Sequence, residues 1–187
     1  MEISLNREII RSKTAARVIG VSAFVALTAL GAFVRIPLPF SPVPLTLQTF
    51  FVLLGAATLG KNRGVVVQLI YVLLGVAGLP VFSGAGSGWL YLAGPTAGYL
   101  LGFIIAALFI GQVINRVKNK FLVFLVFVFA DFLLLGLGTF WLKSFLKCSL
   151  SKAMIMGMIP FIPGDLCKAW AATLVYQKIK TRCGEIF

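Results

Sequence analysis

The chain predicts an all-α membrane protein, a bundle of six transmembrane helices with both termini in the cytoplasm, and three observations predict it. Of its 187 residues 60% are hydrophobic and five are acidic, with a mean hydropathy of +1.03. A soluble domain of that length cannot bury so much apolar surface. The apolar residues gather into six runs, each about long enough for a helix in or nearly across a bilayer, where roughly 20 residues make a full span. The bases fall between those runs, concentrated on alternate connections.

Helix 1 is expected over 14–35. Arg7, Arg11, Lys13 and Arg17 precede its apolar run as they would in a signal peptide. Val18–Val34 is nevertheless longer than a signal core and leads into further spans, so it reads as a retained helix. Helices 2 and 3 follow over 46–59 and 63–78, then helix 4 over 95–115, helix 5 over 121–142 and helix 6 over 163–180. Together they make residues 1–187 a single integral membrane domain. The second, third and sixth are short. Short apolar helices beside Pro- and Gly-rich backbone suggest a cavity at one face of a bundle, where irregular chain can be satisfied by protein or water.

Orientation follows from the bases. The inner segments hold Arg7, Arg11, Lys13, Arg17, Lys61, Arg63, Arg116, Lys118, Lys120, Lys178, Lys180 and Arg182. The outer ones hold Arg35, Lys143, Lys147 and Lys152. That asymmetry places both termini in the cytoplasm and the protein in the cell membrane. It also explains most of the net charge of +12, which in a soluble chain would suggest nucleic acid. Three irregular stretches then fall outside or at the outer edge: Arg35 to Gln48, Gly78 to Trp89, and Phe161 to Lys168. Gly and Pro permit fixed backbone close to a ligand, so their convergence implies one extracytoplasmic pocket.

The third stretch carries the sharpest signal. In Phe161-Ile-Pro-Gly-Asp-Leu-Cys-Lys, Asp165 and Lys168 are charges in an apolar segment, costly unless paired or facing a polar cavity. Three residues apart on a helix, they share a face. The plainer reading is that Asp165 caps the helix and Lys168 snorkels to water. Asp131, midway along the fifth run, is a second buried carboxylate. Its options are a partner such as Arg35, a polar backbone group, a protonated hydrogen-bonded state, or a proton path. Gly94, Gly98, Gly102 and Ala106 form a small-residue stripe for close helix packing, internal or toward a partner.

Other chemistries find little support. Cys148, Cys167 and Cys183 form no C-x-x-C pair and the chain has no His, which argues against a zinc site; no metal or cofactor is expected. Gly84-Ala85-Gly86-Ser87-Gly88 lacks the Lys-Ser/Thr of a phosphate-binding loop, and no soluble segment is long enough for an ATPase.

Four stretches in order along the chain carry a resemblance: Pro42-Val-Pro-Leu-Thr-Leu-Gln-Thr, Leu73-Leu-Gly-Val-Ala-Gly-Leu-Pro-Val-Phe, Leu92-Ala-Gly-Pro-Thr-Ala-Gly-Tyr-Leu-Leu-Gly-Phe and Phe161-Ile-Pro-Gly-Asp-Leu-Cys-Lys. They resemble the BioY family, the biotin-specific substrate-binding (S) components of energy-coupling factor (ECF) transporters. The resemblance implies a six-helix S-component fold, high-affinity capture of biotin from outside, and no catalytic activity. It also implies partners, a transmembrane coupling protein and two cytoplasmic ATPases, although some members are proposed to work without them. S components typically present Ala-x-x-x-Ala on helix 1 to the coupling protein. Here the corresponding small residues are Ala16-x-x-x-Gly20 and Ser22-x-x-x-Ala26.

Biotin's groups suit the polar residues. Asp165 can accept from a ureido N–H and Lys168 can pair with a carboxylate or another acceptor. Thr46 and Gln48 offer donors and acceptors, Trp89, Tyr91 or Tyr99 can pack the rings, and Ser83 and Thr96 complete the candidate set. The residues leave open which group meets which end of the ligand. Competing expectations are a self-sufficient proton-coupled biotin carrier, an S component for another small vitamin, and a membrane-embedded enzyme using Asp165 and Lys168. The last lacks a nucleophile beside an evident base.

Overall fold

A single residue, Gly60, turns the chain back between the second and third apolar runs. In the computed structural model, which describes residues 13–183, its backbone has φ 78° and ψ −179° inside the 29-residue helix α2 (Gln48–Val76). A side chain at that φ would be strained, which only glycine avoids. The reversal shows in two contacts. A Cβ on Gly64 would lie 2.8 Å from Ala56 Cα, and Gln48 Nε2 donates to the Tyr71 hydroxyl at 2.7 Å across 23 residues of sequence. In a straight helix those two residues would stand roughly 35 Å apart. α2 is therefore a hairpin of two short arms, one on each side of Gly60.

Six α-helices lie among the described residues. Besides α2 they are α1 (Lys13–Phe33), α3 (Ala97–Val113), α4 (Lys120–Leu146), α5 (Leu150–Gly157) and α6 (Ile162–Cys183). Four of them are long and apolar enough to cross a bilayer, and a fifth crossing forms if α5 and α6, bent by 50°, are one broken span. The hairpin of α2 divides one of these into two shorter passes. α1 packs on α2, α2 on α3, and α3 on α4, while α6 closes the bundle between α2 and α4.

Three features depart from the expected elements. α1 stops at Phe33, and Arg35–Ile36 (β1) pairs antiparallel with Leu45–Thr46 (β2) in a two-stranded ribbon. α4 runs to Leu146 rather than 142, ending on Lys147 in the left-handed region (φ 50°). α5 was not expected at all; its eight residues are too few for a span, and it starts on Ser149, whose hydroxyl accepts from the Lys152 N–H. Arg7 and Arg11, which supported the orientation, lie outside the described residues.

The small-residue stripe is used inside the bundle. A Cβ on Gly102 would sit 3.0 Å from Leu134 Cα, one on Gly98 would overlap Trp141 and the Leu137 carbonyl, and Ala106 is fully buried. α3 thus lies against α4 with almost no side chain between the backbones. Gly98→Leu is therefore expected to destabilise the fold by roughly 1–3 kcal/mol or more through overpacking. Thermal unfolding in detergent checks it against Gly136→Leu, where the added side chain meets open space. Equal shifts in the two variants would mean the α3–α4 contact does not set the stability.

Candidate functional site

The cavity collects chain ends from one side of the bundle. Thr46, Gln48 and Thr49 come from β2 and the start of α2, Tyr71 from its second arm, and Phe82, Ser83, Tyr91 and Thr96 from the α2–α3 connection. The start of α3 gives Tyr99, Leu100 and Phe103, α4 gives Leu134 and Leu135, and the approach to α6 and its first turns give Phe161, Asp165 and Lys168. The free space among these residues, part of it continuous with solvent, is about 520 Å³. The turn at Gly60 and the end of α3 lie at the opposite side of the bundle, where Gly111 sits against the backbone of Lys61.

Asp165 and Lys168 form the polar centre. They are 3% and 9% exposed and pair directly as i and i+3 on α6. Lys168 Nζ also donates to the Thr46 carbonyl at 2.8 Å, and the Thr49 hydroxyl donates to Asp165 Oδ1 at 3.2 Å. Lys168 is thus held inside and does not snorkel. Asp165 spends its bonded oxygen on side chains of α2 and α6, so capping does not account for it. Asp165 Oδ2 and Ser83 Oγ are buried and without a partner.

Aromatic rings make the walls. Gly75 leaves room for the Phe82 ring, which stacks on Tyr91 with centroids 4.6 Å apart and meets Tyr71 edge-on at 5.6 Å. Each hydroxyl on these rings is anchored: Tyr71 donates to the Val81 carbonyl at 3.1 Å, and Tyr91 to that of Ser83 at 3.3 Å. Burial pushes the Tyr91 phenol up from its ordinary pKa, so it stays a neutral donor. Across the cavity the Tyr99 hydroxyl donates to the Gly157 carbonyl at 2.6 Å, fixing α3 to the end of α5.

Of the residues the sequence nominated, Thr46, Gln48, Ser83, Tyr91, Thr96, Tyr99, Asp165 and Lys168 line this cavity. Trp89 does not. It is 68% exposed on a short 3₁₀ turn (Trp89–Ala93) and is withdrawn from the set. Thr49, Tyr71 and Phe82 were missed. Tyr71 lies in an apolar run, and only its bond to Gln48 across the hairpin reveals it. Arg35 is not the partner of Asp131: it sits exposed beside Gly84, whereas Asp131 lines a smaller cavity of about 200 Å³ with Asp165. Of the small residues on α1, Ser22 and Ala26 are exposed, and Ala16 and Gly20 half-buried. No cluster of metal ligands occurs among the described residues.

The BioY family model matches residues 5–185. A probable biotin transporter BioY of Pyrococcus horikoshii is 39% identical over 160 residues, covering 86% of this chain and 93% of that protein. The biotin transporter BioY of Thermotoga maritima is 42% identical over 158 residues, covering 84% and 91%. The chain belongs to the BioY family. A crystal structure described as the S-component for biotin from an ECF-type ABC transporter has the same fold as this BioY-family chain, with a TM-score of 0.85 at 23% identity over 92% of this chain and 94% of that one. It is a helical, multi-pass membrane protein of a transporter family.

Breaking the buried pair from one side should cost more than removing it. Lys168→Met alone leaves the Asp165 charge uncompensated and is expected to destabilise by about 3–5 kcal/mol. The double variant Asp165→Asn/Lys168→Met should recover much of that loss in thermal melts. A double variant that melts below the single one would refute the ion-pair account.

Proposed function

We propose that this chain captures biotin from outside the cell as the substrate-binding component of an energy-coupling factor transporter, with no catalytic step of its own. One observation carries the reading. The Asp165–Lys168 pair stands at the inner end of an aromatic-walled cavity with hydrogen-bonding capacity to spare, on the donor side and the acceptor side together. The Lys168 ammonium has three protons, two of them committed to Asp165 and Thr46, and the third suits a ureido carbonyl. Asp165 keeps lone pairs for a ureido N–H. The names of relatives at 39% and 42% identity support biotin as the ligand.

The geometry also favours one direction of entry. Ser83, Tyr91 and Thr96 also line an adjoining hollow that includes Arg35. A ligand carboxylate is attracted to that guanidinium and repelled by Asp165, so biotin enters ureido ring first and leaves its carboxylate near Arg35. Accordingly Asp165→Ala should weaken biotin binding in detergent by roughly 1–3 kcal/mol, because a buried donor loses its acceptor. Biotin methyl ester should bind wild type more weakly than biotin but bind Arg35→Ala about as well as biotin does. An ester penalty undiminished in Arg35→Ala would place the carboxylate elsewhere.

The basic ends of the helices face the cytoplasm in this reading, with both termini there and the cavity outward. Energy then comes from other chains: a membrane coupling protein and two ATPases, meeting α1 at Ala16, Gly20, Ser22 and Ala26. The purified protein should bind biotin without nucleotide and hydrolyse no ATP. In liposomes, uptake should require the partners and ATP, survive a protonophore, and be lost in Ser22→Leu or Ala26→Leu while binding persists. A thiol placed at Ser87 should react from outside intact cells. Uphill uptake by the lone protein, collapsed by a protonophore, would replace this reading with a proton-coupled carrier.

A further inference from the structure

Among the described residues, Asp131 is the one buried acid that ligand binding leaves without a task. It lies on α4, 5% exposed, and lines the small cavity together with Asp165, Leu135 and Ile162. Asp131 Oδ1 and Asp165 Oδ2 are both buried and both lack a hydrogen-bond partner. The charges around them do not balance. Two carboxylates share this region with one ammonium, that of Lys168. Of the other elements packed on α4, α3 brings Tyr99, whose hydroxyl is committed to Gly157, and the nearest base on α5, Lys152, is exposed.

A second unpaired negative charge this deep is expensive, and two carboxylates that meet without water resolve the repulsion by holding one proton between them. An O–H···O bond from one to the other also satisfies both orphaned oxygens at once. We propose that Asp131 carries a proton and donates it in a hydrogen bond to Asp165, acting as the positioning residue that fixes the ligand-facing carboxylate and keeps the three-residue cluster neutral.

The balance of bonds on Asp165 is consistent with this. Oδ1 accepts from Lys168 and Thr49. Oδ2 has lone pairs for Asp131 on one side and a ligand N–H on the other. Held from three directions, the carboxylate cannot rotate away from the cavity. Asp131 itself reaches only the smaller cavity, so it touches no ligand.

The inference rests on the biotin reading for its effect on affinity, but the proton belongs to the unliganded protein and is tested separately. Infrared spectra of wild type without ligand should contain a carboxylic-acid C=O band at neutral pH that shifts in D₂O and is absent in Asp131→Asn. No such band, or one that persists in Asp131→Asn, overturns the proposal whatever the ligand. For binding, Asp131→Asn keeps a donor to Asp165 and should stay within about threefold of wild type, whereas Asp131→Leu should lose about tenfold or more. Wild-type affinity should fall as pH rises and the shared proton leaves. Asp131→Asn should lack that step. Equal pH profiles for wild type and Asp131→Asn would overturn the positioning role, and loss of biotin binding in every form with the band intact would count against the ligand instead.

Discussion

The ion pair of Asp165 and Lys168 is the constraint on which the site depends. Burying both charges costs several kcal/mol per ion, and their mutual attraction repays it only when the remaining lone pairs and protons are also used. Here they are used on distant chain. Lys168 reaches the Thr46 carbonyl and Thr49 reaches Asp165, contacts that span 122 and 116 residues. The first turns of α6 are thereby stitched to the β-ribbon and to the start of α2, with Gly164 letting Leu45 approach. The pair that closes the cavity is also the pair best placed to read a ligand, so shape and recognition cannot be separated there.

The aromatic walls follow the same economy. Phe82 can stand between Tyr71 and Tyr91 because position 75 has no side chain. Fixing each phenol on a carbonyl removes the rotamer freedom that ligand binding would otherwise have to quench. A cavity preorganised in this way gains affinity from what it does not have to rearrange.

Much of this was legible in the sequence because the constraints are local. Lys61-Asn62-Arg63 interrupts an apolar run beside Gly60, which marks the hairpin, and the Gly98/Gly102 spacing marks the α3 face that meets α4. Asp165 and Lys168 stand out because charge is rare around them. What was not legible depends on distant chain. Tyr71 looks like one more apolar-run aromatic until Gln48 folds onto it, and the neighbour of Asp131 is 34 positions away on another helix. α5 carries no apolar run long enough to announce itself. Trp89 shows the converse error, a ring in the right loop that points out of it.

The cavity lies at the end of the bundle where β2, the α2–α3 connection and the start of α6 come together. Toward the base-rich side the interior is filled: Leu59 and Val67 from the two arms of α2, Ile110 and Ile114 at the end of α3, Val123 and Phe127 on α4, and Ala172 and Tyr176 on α6 are all buried. Close-packed side chains of this kind must shift before anything large passes between them. In the reading proposed above, a ligand seated at Asp165 would reach the base-rich end only after these side chains, or the helices that carry them, move. The same contacts that give tight capture make that rearrangement costly. A ligand that favours one arrangement of the helices can shift their balance by no more than its difference in affinity for the two arrangements.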